Sequence, residues 1–293
     1  MDRLDHLENQ SIGIIREAYA SVRNLGMLWS VGKDSTVLLR LAQKAFFGHV
    51  PIPLIHIDTS FKIPEMIKFR DQLVKKWKLQ LMVGKNEDAL EAARTFPDGN
   101  EDRLVCCRAL KTVPLRGIVE GSYPRLVFNH ERGAFDRQET GEPFGGLLLG
   151  IRADEEGTRS KERIFSPRSP DNNWAVTDQP PELWGYYNTI FPAGAHVRVH
   201  PLLDWTELDV WQYIRREKIP VVKLYFNQGN GTRYRSLGCG PCTAPIRSKA
   251  KNVAEIIAEL QHGALMRVPE RAGRAQDRED GGTLERLRKD GYM

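Results

Sequence analysis

Between Met27 and Phe47 an apolar run, Met27 to Val31, passes through Gly32, Lys33, Asp34 and Ser35 into a stretch whose Val37, Leu38, Leu41, Ala42 and Ala45 keep a helical period. A buried strand that turns into a helix over so few residues is the opening of a parallel α/β unit, because the following strand must return beside the first. The alternation continues. Pro53 to Asp58 predicts a second strand, Pro64 to Lys76 an amphipathic helix with proline in its first turn, and Leu79 to Val83 a third strand. Right-handed crossovers follow, giving an α/β fold with a mostly parallel twisted sheet and helices on both faces.

Arg125 to Asn129, Gly146 to Gly150 and Val197 to Pro201 read as further strands. Helices are expected at residues 4–23, at Thr206 to Glu217 with Thr206 as N-cap and Asp209 completing a capping box, and at Val253 to Leu260. From Ala153 to Pro192 the texture is charged and rich in Pro and Asn, which predicts a long functional loop. Residues 1–225 form the expected α/β domain, with the substrate loop at 152–192 inside it. Residues 226–293 add a Cys-x-x-Cys segment and a polar C-terminal extension, extended except for a helical turn or two near its end.

Lys and Arg total 43 against 38 Asp and Glu, a net charge of +5 over 293 residues. So small an excess is no footprint for nucleic acid or a membrane surface, and any basic site must be local. No run approaches the roughly 18 apolar residues of a membrane span, and MDRLDHLENQ leads into no secretory h-region. A cytoplasmic protein is expected.

The strongest local motif is Ser30, Val31, Gly32, Lys33, Asp34, Ser35. A glycine in a strand-to-helix turn lets N–H groups converge on an anion, the helix N-terminus adds a positive dipole, Lys33 adds a charge, and the two serines add hydroxyls. Met27 stands where a Walker-type loop needs glycine, and Asp34 where it needs Ser or Thr. The competing reading is a glycine turn with a surface lysine and a serine cap.

A second cluster follows the Gly146 to Gly150 strand: Arg152, Arg159, Lys161 and Arg163, interleaved with Asp154, Glu155, Glu156 and Glu162. Cations at that density suit two mutually repelling anions, and the acids could hold Mg²⁺ or orient the arginines. A solvated mixed-charge loop is the alternative. The four cysteines form two tight pairs, Cys106 with Cys107 and Cys239 with Cys242, which points to metal or redox chemistry. Four thiolates are the complement of a [4Fe-4S] cluster; a vicinal pair is an odd chelate for Zn²⁺, and four unliganded buried thiols remain an alternative.

These motifs are similar to those of the N-type ATP pyrophosphatases, the adenine nucleotide alpha hydrolase-like enzymes that cleave ATP between its α and β phosphates. Ser30 to Ser35 resembles their pyrophosphate loop, and His56 to Thr59 with Phe61, Lys62 and Glu65 resembles a second-strand motif of the sulfonucleotide branch. RADEEGTRSKER at 152–163, HPLLDWTELDVWQYI at 200–214 and the tail from ERAGRAQDRED through GYM resemble the small subunit of heterodimeric sulfate adenylyltransferases, with Ala153 where that family has a second arginine. The resemblance implies a catalytic subunit that joins ATP and sulfate into adenylylsulfate and pyrophosphate, with Mg²⁺ and a GTPase large subunit as partner. It implies Ser30, Gly32, Lys33, Asp34 and Ser35 on the phosphates, Ile57, Asp58 and Thr59 toward adenosine, and Lys33, Arg152, Arg159 and Arg163 in catalysis.

Cys106 to Leu115 and the distant Cys239–Cys242 pair resemble the cluster segments of iron-sulfur adenylylsulfate reductases. Those enzymes also need a nucleophilic cysteine in the tail, and no cysteine follows Cys242. A reductase or another adenylating sulfur-transfer enzyme is therefore the second expectation. A nucleotide- and cluster-binding accessory subunit is the third, and the acceptor could be sulfate or another anion.

Overall fold

The computed structural model describes residues 2–157, 159–169, 174, 179–192, 194–263, 265 and 268–274. Helix α1 (Arg3–Ser21) starts at Asp2, whose carboxylate accepts the Asp5 N–H while Asp5 accepts the Asp2 N–H. The expected βαβ alternation follows as β1 (Leu25–Leu28), α2 (Lys33–Ala45), β2 (Leu54–Ile57), α3 (Pro64–Trp77) and β3 (Leu81–Gly84). Then come the short α4 (Glu87–Glu91) and α5 (Arg103–Cys107), a π-helical turn at Arg108–Thr112, and α6 (Val113–Glu120). Next are β4 (Arg125–Asn129), β5 (Ala134–Gln138), β6 (Gly146–Leu148), β7 (Phe165–Arg168), β8 (His196–Val199) and α7 (Glu207–Glu217). A two-stranded ribbon of β9 (Thr232–Arg233) and β10 (Ile246–Arg247) precedes α8 (Val253–His262).

Eight strands make one sheet in the order β5-β4-β3-β2-β1-β6-β8-β7. The run β3-β2-β1-β6-β8 is parallel, and the pairs at both margins are antiparallel. From β1 the chain winds outward through β2 and β3, then crosses back to β6 on the other side of β1. The C-terminal ends of β1 and β6 therefore flank the switch point where ligands enter such sheets. Ile15, Leu38, Val74, Val199 and Trp211 pack on one face; Leu28, Ile55, Ile118, Leu147 and Leu149 pack on the other. Among the described residues no helix is long and apolar enough to cross a membrane.

Three differences from the sequence pattern have physical causes. Strand β1 stops at Leu28 and not Val31: Trp29 still donates its N–H to the Ile55 carbonyl at 2.8 Å, but Val31 turns to φ +69° and the ladder cannot continue. The loop expected at 153–192 contains β7, whose Pro167 is tolerated because the strand closes the edge of the sheet. Strand β5, at the opposite edge, carries no apolar alternation and is largely exposed. The capping box on α7 forms as expected, with Thr206 Oγ1 taking the Asp209 N–H at 3.1 Å. The helical turns expected near the end of the chain lie outside the described residues.

Residues beyond 226 fold back over the strand ends. Gly240 donates its N–H to the Phe61 carbonyl at 2.8 Å, Lys62 and Cys239 form an antiparallel bridge, and Thr243 bridges Arg274. This places a 3₁₀ turn, Glu270–Gly273, above the switch point.

Candidate active site

Helix α2 begins at Gly32, which has no side chain, so the N-cap residue itself caps none of the first-turn N–H groups. Hydroxyl groups gather around the turn instead. Ser30 and Ser35 lie with their Oγ atoms 3.2 Å apart, the Gly32 N–H reaches Ser30 Oγ at 3.4 Å, and Thr36 Oγ1 donates to the Gly32 carbonyl at 2.8 Å. The Lys33 N–H goes to the hydroxyl of Tyr225 at 2.9 Å. At the end of β6, Gly150 faces this turn so closely that a Cβ there would meet Ser35 N and Cα at 3.0 Å. Glycine lets β6 deliver the chain to Arg152 directly against the helix N-terminus.

Arg152 and Lys33 are 0% and 1% exposed, a burial that charged groups tolerate only when paired. Lys33 Nζ pairs with Asp34 at 3.1 Å and with Glu270. Arg152 pairs with Asp34, Glu270 and, at 2.9 Å, Asp154. Burial alone would lower the Lys33 pKa, but the carboxylates of Asp34 and Glu270 overcome it and hold the ammonium charged. Burial likewise opposes ionisation of Glu270, and Arg152 and Lys33 outweigh it, keeping that carboxylate well below its usual range. A second tier lies beside the first: Arg159 pairs with Glu155, and Arg271 with Glu155 at 3.3 Å and Glu156 at 3.8 Å. The acids of the 152–163 stretch thus orient arginines. The cleft so formed is lined by Ser30, Lys33, Ser35, Arg159, Arg271 and Arg274, among others.

The opposite wall combines cations with thiols. Lys62 and Lys111 line the cleft, and Lys111 Nζ donates to Cys107 Sγ at 3.5 Å. The π turn that carries Lys111 directly follows Cys106 and Cys107 on α5, while Cys239 and Cys242 flank a 3₁₀ turn in the returning segment. Burial raises the Cys106 and Cys242 thiols, and each also feels Cys107 and Cys239. Burial pushes Cys239 up too, but Lys111 and Lys62 outweigh it and lower its pKa. Lys62 itself is pushed down to about 8 by burial, with Cys239 opposing and Lys111 reinforcing the shift. All four cysteines are buried, and none is joined in a disulfide among the described residues. Among the described residues no three His, Cys, Asp or Glu side chains surround a single metal-ion position.

The family-level comparison agrees with this geometry. Residues 24–245, which hold the sheet and the phosphate-loop side of the cleft but not Glu270, Arg271 or Arg274, match the model of the phosphoadenosine phosphosulfate reductase domain. A protein of Allorhizobium ampelinum named sulfate adenylyltransferase subunit 2 is 39% identical over 320 residues, covering 99% of this chain and 93% of its own. The chain belongs to the sulfate adenylyltransferase subunit 2 family. A Brucella anthropi member is 38% identical over 323 residues, covering 100% of this chain and 97% of its own. In fold, the phosphoadenylyl-sulfate reductase of Candida auris superposes with a TM-score of 0.51 at 17% identity, over 83% of this chain and 98% of that one.

Against the expectations for a member of this family, the structure brings Ser30, Gly32, Lys33, Asp34, Ser35, Ile57 and Arg159 to one cleft, with Arg152 buried beneath it. Asp58 instead accepts the Ser60 N–H at 2.8 Å, and Thr59 Oγ1 lies 3.1 Å from Cys239 Sγ. Arg163 is exposed, its carbonyl facing His200 Nδ1 at 2.6 Å, so it stands outside the cleft. Sequence reasoning missed Glu270, Arg271, Arg274 and Tyr225. The ERAGR run was a visible signal, but its composition is that of a solvated tail.

Proposed function

We propose that this chain is the catalytic small subunit of a cytoplasmic sulfate adenylyltransferase, which transfers the adenylyl group of ATP to sulfate and releases pyrophosphate. The convergence of Lys33, Arg152, Arg159 and Arg271 on the N-terminus of α2, whose N-cap is glycine, carries the reading. The β and γ phosphates rest on Ser30 to Ser35, with Lys33 and Arg152 neutralising the departing pyrophosphate and Ile57 against the nucleoside. Asp34, the partly exposed carboxylate of the loop, would hold Mg²⁺ on the triphosphate, where the ion neutralises phosphate charge.

Sulfate enters between the two cationic walls, with Lys62, Lys111 and Arg274 on its side. One of its oxygens attacks the α phosphorus in line, and the electron pair of the broken Pα–O bond leaves with pyrophosphate. Sulfate is already ionised, so no general base is required, and positioning with charge stabilisation supplies the rate. The product is a high-energy anhydride. A GTPase partner subunit that couples GTP hydrolysis to the transfer accounts for net synthesis, and the word subunit in the relatives' names supports a partner.

The two cysteine pairs, buried, not in disulfides and electrostatically coupled across the two segments, fit a thiolate-bound [4Fe-4S] cluster better than one Zn²⁺ ion, which would gather its ligands around a single point. Cys106, Cys107, Cys239 and Cys242 would hold the cluster, which would supply a charged brace behind Lys62 and Lys111. Residues 1–225 act as the nucleotide domain and 226–293 as the segment that completes the cleft. The test is sulfate-dependent release of pyrophosphate from ATP by the anaerobically purified chain with its GTPase partner. Thiol-dependent release of sulfite from adenylylsulfate, with no sulfate-dependent pyrophosphate, would replace this reading with a reductase.

A further inference from the structure

Val31 sits inside the phosphate loop with φ +69° and 1% exposure. Among the described residues it is the sole β-branched side chain held at positive φ. The left-handed region is unfavourable for an ordinary L-residue and more so for a β-branched one. Such a conformation persists only where its surroundings over-determine it.

The Gly32–Lys33 peptide, one residue further on, is held from outside the loop. The Lys33 N–H, the first of α2, donates to Tyr225 Oη at 2.9 Å. Tyr225 comes from a 3₁₀ turn nearly two hundred residues away, is 1% exposed, and packs edge-on against Trp211 with ring centroids 5.4 Å apart. Its backbone is fixed as well, by the Val222 carbonyl at 3.1 Å. Trp211 is itself fully buried on α7. A buried phenol that lines the cleft therefore takes the first N–H of the helix.

We infer that Tyr225 is a positioning residue for nucleotide binding: its hydroxyl pins the Gly32–Lys33 peptide and so keeps Val31 in the left-handed conformation that opens the loop to phosphates. This rests on reading Ser30 to Ser35 as the triphosphate loop.

Tyr225→Phe removes the hydroxyl and keeps the ring on Trp211. Loss of one buried hydrogen bond of about 1 to 1.5 kcal/mol weakens the binding of a non-hydrolysable ATP analogue roughly tenfold. KM for ATP rises by a similar factor while kcat changes by less than about twofold, because the loop grips ground state and transition state alike. The double variant Tyr225→Phe/Val31→Gly supplies the independent readout, since glycine occupies positive φ without strain and needs no pin. It regains affinity to within about threefold of wild type.

Tyr225→Phe binding the analogue as tightly as wild type, or a double variant as weak as Tyr225→Phe, overturns the inference. Lys33→Ala separates the two levels. A wild-type chain that binds the analogue no better than Lys33→Ala refutes the phosphate-loop reading itself, and the role of Tyr225 falls with it.

Discussion

Glu270 balances both Lys33 and Arg152 although it lies 237 and 118 positions away from them. Its carboxylate pairs with the cations that the proposed function assigns to phosphate, so on that proposal triphosphate and Glu270 compete for the same charges. Glu270→Gln leaves two buried cations short of a partner. The variant should lose about 3 kcal/mol of stability, read from the denaturant midpoint, while binding free pyrophosphate more tightly in calorimetry; weaker pyrophosphate binding would show that Glu270 acts otherwise. The loop residues were legible in the sequence because Ser30 to Ser35 are chain neighbours and one turn fixes their relation. Glu270 was not, since a carboxylate in ERAGRAQDRED looks like any solvated charge until the chain folds back. Arg163 erred the other way: it lies close to Arg159 in sequence, but the turn that buries Arg159 leaves Arg163 in solvent.

At the level of elements, the periodicity of β1, α2, β2, α3 and β3 made the parallel sheet readable, because each is buried on a face that its apolar spacing reports. Strand β5 escaped detection because it is exposed and answers to backbone pairing, and β7 because its buried positions include Ser166 and Arg168, which carry no apolar signal. The join of β6 to α2 rests on Gly150. Gly150→Ala forces a Cβ to within 3.0 Å of Ser35 backbone atoms, and overpacking of that kind costs about 1–3 kcal/mol. Thermal unfolding should register the loss, with nucleotide affinity falling in parallel; an unchanged melting temperature would mean that the contact relaxes freely.

Strand β8 carries a second element-scale consequence. His196 is buried, its Nδ1 donating to the Phe144 carbonyl at 3.0 Å, and burial together with Arg198 pushes its pKa down to about 3. Between that value and the ordinary value of about 6.5, the unfolded chain binds a proton that the folded chain refuses. Stability from this residue is therefore full above about pH 6.5 and declines as pH falls toward 3. His196→Asn keeps a donor for Phe144 and should flatten the acid slope of the melting temperature; an unaltered slope would place the proton uptake elsewhere.

Across the whole molecule, the net charge of +5 resolves into local balances. Lys33, Arg152, Arg159 and Arg271 meet carboxylates on one wall, while Lys62 and Lys111 stand with cysteines on the other. This is an architecture for bringing two small anions together inside a mostly parallel sheet. Its most direct test uses sulfate labelled with ¹⁸O at every oxygen, incubated with ATP, the chain and the proposed GTPase partner. Attack by a sulfate oxygen on the α phosphorus predicts adenylylsulfate that retains all the label and pyrophosphate that carries none. Loss of one labelled oxygen from the product, or ATP bound with no labelled adenylylsulfate formed, would contradict the account.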